Sequence, residues 1–211
     1  MNKPALAFLG AGRVALTLAQ AMAAAGWPVV AVASRSSGSA SAFAAAVPGC
    51  AACATPQEAA DRAELVFLTV PDDHIEAVAA GVRWRAGQAV VHCSGATEVA
   101  VLTAAAAAGA QTGGFHPLQL FAEPALALRH MAGCSVGIEA PPALAALLRQ
   151  LAADIGYRPI ALPPGARGLY HAGSCHAASF LLSLLREACD LWNAFGASDE
   201  EALAALLPLA R

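Results

Sequence analysis

Ala5-Leu6-Ala7-Phe8-Leu9-Gly10-Ala11-Gly12-Arg13-Val14-Ala15 is the stretch that decides the fold. Five apolar residues predict a buried strand, the glycines a tight turn, and Arg13–Ala25 an amphipathic helix. Two glycines and an alanine at this spacing, directly after a strand, form a dinucleotide-binding fingerprint with Ala in its third position. The chemistry needs a sharp turn at Gly10. It also needs no side chain at Gly12, so that backbone N–H groups and the helix N-terminus can face a pyrophosphate. Gly10, Ala11, Gly12, Arg13 and Val14 are therefore candidate cofactor contacts.

Outward from this turn, short apolar runs alternate with Ala-rich helical stretches, the rhythm of a parallel sheet covered on both faces. Strands are predicted at 5–9, 29–33, 65–70, 89–92, 111–115, 134–138 and 158–162, with a weak short one near 50–54. Helices are predicted at 13–25, 40–46, 56–60, 73–80, 99–108 and 142–155, and Gly26, Gly81, Gly109 and Gly156 stand where helices should stop. After Pro163-Pro164-Gly165 no strand candidate follows. Gly168 to Phe195 reads as one long helix, and Ser198 with Glu201 makes a capping box for a last helix over 199–207. The expected class is α/β: a Rossmann-type, doubly wound, mainly parallel sheet over 1–163, then the start of an all-helical domain over 164–211.

Composition narrows the function. The 211 residues are 58% hydrophobic and 13% charged, with a formal net charge of −3. The mean hydropathy is +0.56. Roughly a quarter of the chain is Ala, however, and no run supplies the ~20 strongly apolar residues of a spanning helix. No Lys/Arg cluster offers a nucleic-acid footprint. The first apolar run is too short for a signal-peptide core. Six scattered cysteines in a chain large enough to build its own core read as reduced thiols, so a cytoplasmic protein is expected.

Ligands of open α/β sheets bind outside the carboxyl ends of the strands, and the candidates cluster there. The second strand ends in Ser34, Arg35 and Ser36. An NAD site would place Asp or Glu here for the ribose 2′-hydroxyl, whereas two hydroxyls and a guanidinium suit a 2′-phosphate. NADP is thus favoured over NAD, against the bland alternative that Arg35 is an ordinary exposed arginine. Val70 and Pro71 fall near the adenosine ribose and pyrophosphate, with Asp72 or Asp73 expected to cap the next helix. Ser94, after the fifth strand, falls near the nicotinamide and contacts its carboxamide or the substrate, or merely makes a turn.

Farther on, His116 precedes Pro117, which holds its backbone extended and lets the ring be aimed. Such a histidine donates to a carbonyl or takes a hydroxyl proton during hydride transfer. The bland alternative is a core histidine satisfied by backbone. Cys50 and Cys53 have metal or redox spacing, but nothing completes a tetrahedral site. No metal is expected. His92 and His130 have no constellation to join.

The glycine turn, Ser34-Arg35-Ser36, Leu68-Thr69-Val70-Pro71-Asp72, His92-Cys93-Ser94-Gly95 and His116-Pro117-Leu118-Gln119 followed by Phe121 occur in that order, and Tyr170-His171-Ala172 completes them. Together they resemble the Rossmann-like, DUF2520-type family of NADP oxidoreductases, over essentially the whole chain. That family is related to deazaflavin-dependent NADP reductases, pyrroline-carboxylate reductases and prephenate dehydrogenases. The resemblance implies an N-terminal NADP-binding domain and a helical domain that dimerises. It departs where family members carry Ser-Asn after the Tyr-His, since Ala178-Ser179 stand here. The family's helical domain also runs well beyond Arg211.

His171, on the small polar face of the long helix, is a further candidate for substrate contact or proton transfer, or else a packing residue. The expected activity is NADP(H)-dependent hydride transfer to or from a small carbonyl, imine or alcohol, with His116, His171 and Ser94 as catalytic candidates. The competing class is a non-catalytic NADP-binding sensor or partner protein, which Ser179 favours. The expected partners are a small-molecule substrate and a second copy of the chain.

Overall fold

The structure, a computed structural model, describes residues 3–210. Its centre is an eight-stranded sheet in the order β3-β2-β1-β4-β5-β6-β7-β8. The strands are β1 Leu6–Leu9, β2 Val29–Ala33, β3 Ala51–Cys53, β4 Leu65–Leu68, β5 Ala89–His92, β6 Gln111–Leu118, β7 Ser135–Glu139 and β8 Arg158–Ala161. All pairings are parallel except β6 with β7. The helices up to this point are α1 Arg13–Ala24, α2 Ser37–Ala46, α3 Pro56–Asp61, α4 Ile75–Ala80, α5 Thr103–Ala107, α6 Pro124–Arg129 and α7 Pro142–Asp154.

Alternation along the central strands builds two cores, one on each face of the sheet. Leu6 and Phe8 of β1 and Phe67 of β4 join Leu18 and Met22 of α1 and Phe43 of α2 on one face. Ala7, Leu9, Val66 and Leu68 join Ala59, Ile75, Ala79 and Leu102 on the other. Strands covered on both faces read as continuous apolar runs, which is why β1 and β4 were legible. The order reverses between β1 and β4, and this reversal opens the crevice used by dinucleotides in doubly wound sheets.

Three expectations need correction. β6 does not end at Phe115 but continues through His116 and Pro117, paired with Gly137 and Val136 of antiparallel β7. The β5 partnership stops at Gly114, so Pro117 lies where only one neighbour pairs and its missing N–H is tolerated. α6 was not anticipated; Pro124 at its first turn starts it. Neither Asp72 nor Asp73 caps a helix: a 3-10 turn, Asp72–His74, precedes α4 with no side-chain cap.

The chain divides into two compact units between Arg167 and Gly168. The second unit is helical. The helix α8, Arg167–Cys175, passes through a π-turn, His176–Phe180, into α9, Leu181–Asn193. The long helix expected over 168–195 is thus continuous but widened in its middle. α10, Asp199–Leu206, begins with the expected capping box of Ser198 and Glu201. Arg186 bonds Asp190 and Asp199, holding α9 to α10. No helix among the described residues is long and apolar enough to cross a membrane.

Candidate functional site

Gly10 turns the chain out of β1 with φ +112°, a conformation that side chains rarely adopt. A Cβ there would lie 2.7 Å from the Thr69 carbonyl. The Thr69 hydroxyl donates to the carbonyl oxygens of Leu9 and Gly10, at 3.2 and 3.0 Å, and locks β1 to the end of β4. Gly12 has the opposite character. It is exposed, caps α1 with ordinary dihedrals, and a Cβ there would meet nothing within 4 Å. No side chain caps α1 and no acid lies in its first turn. The first-turn N–H groups therefore have no side-chain cap and carry a positive partial charge beside the open Gly12, the fit that a pyrophosphate needs. Arg13 is exposed and donates to the Ala122 carbonyl at 3.0 Å.

At the end of β2, Ser34 is half-buried and Arg35 and Ser36 are exposed. Ser36 caps α2 by accepting from the Ser39 N–H at 3.2 Å, which leaves its own proton available to donate. The first turn of α2 carries no acid either. The donor set at this strand end is thus a guanidinium, two hydroxyls and a helix N-terminus, all suited to a phosphate.

Val70 is half-buried and Pro71 exposed where the chain leaves β4. Ser94 is buried, and its hydroxyl lies 2.6 Å from the Asp72 carboxylate and 2.9 Å from the Thr97 hydroxyl. It also accepts from the Thr97 N–H at 3.0 Å. These bonds make Ser94 a turn-former that joins the loop after β5 to the loop after β4.

One residue that sequence reasoning passed over organises this edge of the sheet. Arg167 is fully buried. Its Nε donates to Glu139 at 2.7 Å and its Nη1 to the Ser94 carbonyl at 2.7 Å. The guanidinium reaches Gly114 with its Nη2 end, where a Cβ would come within 1.6 Å of Nη2. Glycine inside a strand signals such a close approach, so Gly113-Gly114 was the clue; nothing local says which side chain arrives.

His92, which has no constellation to join along the sequence, belongs to the same cluster. It is fully buried, and neither ring nitrogen has a hydrogen-bond partner among the described residues. Burial, reinforced by Arg167 and His116, pushes its pKa down to about 3 and keeps the ring neutral. Burial also pushes the neighbouring Cys93 thiol up to about 12, which disfavours its thiolate. His116 is half-buried and shares a sheet face with Gly114, two residues before it. Gln119 braces the segment that follows, accepting from the Tyr157 hydroxyl at 2.6 Å and donating to the Ala127 carbonyl.

His171 and Tyr170 lie on α8, half-buried, in the second unit. Ala178 and Ser179 fall in the π-turn. Cys50 and Cys53 pack with opposite faces of the sheet and do not form a site together. No group of metal-ligating side chains occurs among the described residues. A hollow of about 650 Å³ lies at the amino ends of the strands, lined by Trp27, Val29, Pro48 and Leu128. It is remote from the glycine turn and has no titratable lining.

Residues 2–117 match the Rossmann-like domain family, and residues 134–211 match a domain of unknown function, DUF2520. The chain belongs to this Rossmann-like, DUF2520-type family. No curated protein sequence matches it. Among solved structures of similar fold is an imine reductase from Pseudomonas sp. (19% identity, TM-score 0.81, covering 99% of this chain and 73% of that one). Another is a reductive aminase from Aspergillus terreus in complex with NADPH and ethyl levulinate (19%, 0.80, 99% and 72%). Pyrroline carboxylate reductase from Plasmodium falciparum with NADP bound is also similar (13%, 0.72, 100% and 77%). At these identities the likeness is one of fold.

Proposed function

We propose that this protein is an NADP(H)-dependent oxidoreductase that transfers a hydride between the nicotinamide and a small carbonyl, imine or alcohol. The observation that carries the reading is the pairing of an open, uncapped Gly12 helix start with an acid-free strand end at Ser34-Arg35-Ser36. Gly10, Ala11, Gly12, Arg13 and Val14 hold the pyrophosphate through backbone N–H groups. Ser34, Arg35 and Ser36 take the 2′-phosphate. Val70 and Pro71 flank the adenosine ribose and pyrophosphate, and the Ser94 turn flanks the nicotinamide. The bound cofactor supplies the hydride donor or acceptor. His116 holds or gives up the proton at the substrate oxygen or nitrogen, and His171 is the second acid–base candidate.

Residues 1–163 form the cofactor domain, and 164–211 begin a helical domain that pairs with a second copy of the chain. Six free cysteines accord with a cytoplasmic setting. The names of the fold neighbours, imine reductase, reductive aminase and pyrroline carboxylate reductase, support a carbonyl or imine as the first substrate class to try.

The test is a fluorescence titration with NADPH and NADH, followed by a screen of small ketones, with and without amines, monitored by NADPH absorbance. Equal affinity for both cofactors overturns the NADP assignment. Ser179, standing where the family has Asn, favours the alternative of a non-catalytic NADP sensor. Tight NADPH binding with no turnover across the screen selects that alternative.

A further inference from the structure

Leu68, His92, Gly114 and Glu139 are register partners on four adjacent strands, so all four positions present the same face at the carboxyl edge of the sheet. Gly114 leaves a gap in that row, and the Arg167 guanidinium fills it between His92 and Glu139. From there a chain of contacts runs along the edge. Glu139 accepts from Arg167, Arg167 donates to the Ser94 carbonyl, and the Ser94 hydroxyl reaches Asp72. A second tie runs beside it, where Glu98 accepts from the Gly165 N–H at 3.2 Å. One desolvated cation thus joins the loops after β4 and β5 to β7.

A buried ion pair is weak evidence for stability, because well-packed apolar residues of the same volume do as well. Its effect here is positional. Dinucleotides straddle the strand-order reversal, with the adenosine on the β2 side and the other nucleotide on the β4–β5 side. Everything tied by Arg167 lies on the latter side. We propose that Arg167 is a positioning residue for the nicotinamide half of NADP(H): it holds the Ser94 turn and, through it, the Asp72 loop at the spacing this half requires. The proposal rests on the NADP reading above.

The experiment compares binding of NADPH with binding of 2′,5′-ADP, which carries only the adenosine half, by calorimetry. The proteins are the wild type, Arg167→Met, and Gly114→Ala, whose methyl group evicts the guanidinium while keeping the arginine. Both variants are expected to lose at least tenfold in NADPH affinity and to bind 2′,5′-ADP as the wild type does. A purely structural role predicts equal loss for both ligands and overturns the proposal, as does unchanged NADPH affinity. If neither variant folds, Arg167→Lys decides. It keeps the charge beside Glu139 but cannot span to Ser94, so a selective NADPH loss supports positioning and wild-type affinity refutes it. A wild type that binds neither ligand refutes the NADP reading itself, a result distinct from any of these.

Discussion

Arg167 carries its charge out of water with Glu139 as its carboxylate partner, and that dependence is measurable. Glu139→Gln leaves a buried guanidinium without a counter-charge and is expected to destabilise the protein by about 3 kcal/mol in urea unfolding. His92 gives a pH signature. Its native pKa of about 3 lies below the unfolded value of 6.5, so between these limits the unfolded chain binds a proton that the native one refuses. Stability therefore falls as pH drops below 6.5, by about 1.4 kcal/mol per unit from this group, and levels off near pH 3. His92→Phe should flatten the dependence of the urea midpoint between pH 7 and 4.5; identical slopes in both proteins rule the account out. At the exposed Arg35, substitution by Ala is expected to cost roughly 1.5–3 kcal/mol of NADPH affinity, about ten- to a hundred-fold, with NADH affinity nearly unchanged in a fluorescence titration.

The first turn of α1 separates folding from binding at the scale of an element. Gly12 has ordinary dihedrals and open space around it, so a side chain there meets no clash. Asp is a better N-cap than Gly, and its charge favours the helix start. Gly12→Asp should leave the melting temperature unchanged or raised, while its carboxylate repels the pyrophosphate and lowers NADPH affinity at least about tenfold. Gly10→Ala should do the reverse at the level of the fold, because its Cβ collides with the Thr69 backbone. The same contrast explains β6. Gly114 admits the Arg167 guanidinium, and the extension of β6 past β5 puts His116 on a paired strand rather than a loop. Sites on paired strands are held more rigidly than sites on loops.

For the molecule as a whole, the second unit leaves large apolar side chains in water. Phe180, Leu182, Leu184, Leu191 and Phe195 are all exposed, Leu191 at 73% and Phe195 at 69%. Burying such a side chain contributes roughly 1.5–3 kcal/mol, and Phe180, Leu184, Leu191 and Phe195, at helical spacings of four and seven, fall on one side of the helix. A two-fold contact between copies of α9 would cover it with like residues. The expected state at micromolar concentration is therefore a homodimer by light scattering, converted to monomer by Leu191→Asp with the Rossmann-type unit still folded. A monomeric wild type contradicts this.

Continuous apolar strands, glycine stops and the turn after Leu9 are local patterns, and from them the sequence alone determined the doubly wound class, the order of its elements apart from α6, and the glycine turn. The Ser198 capping box was legible for the same reason: its partners lie three residues apart. Whatever depends on which strands become neighbours was decided by the tertiary structure. The antiparallel entry of β7 extended β6 and brought Glu139 opposite Gly114. That register created the gap which Arg167 fills from 53 positions along the chain. It also turned His92 from an isolated histidine into a buried, neutral member of the cluster. A residue's desolvation and its distant partners are properties of packing, and no periodicity in one dimension encodes them.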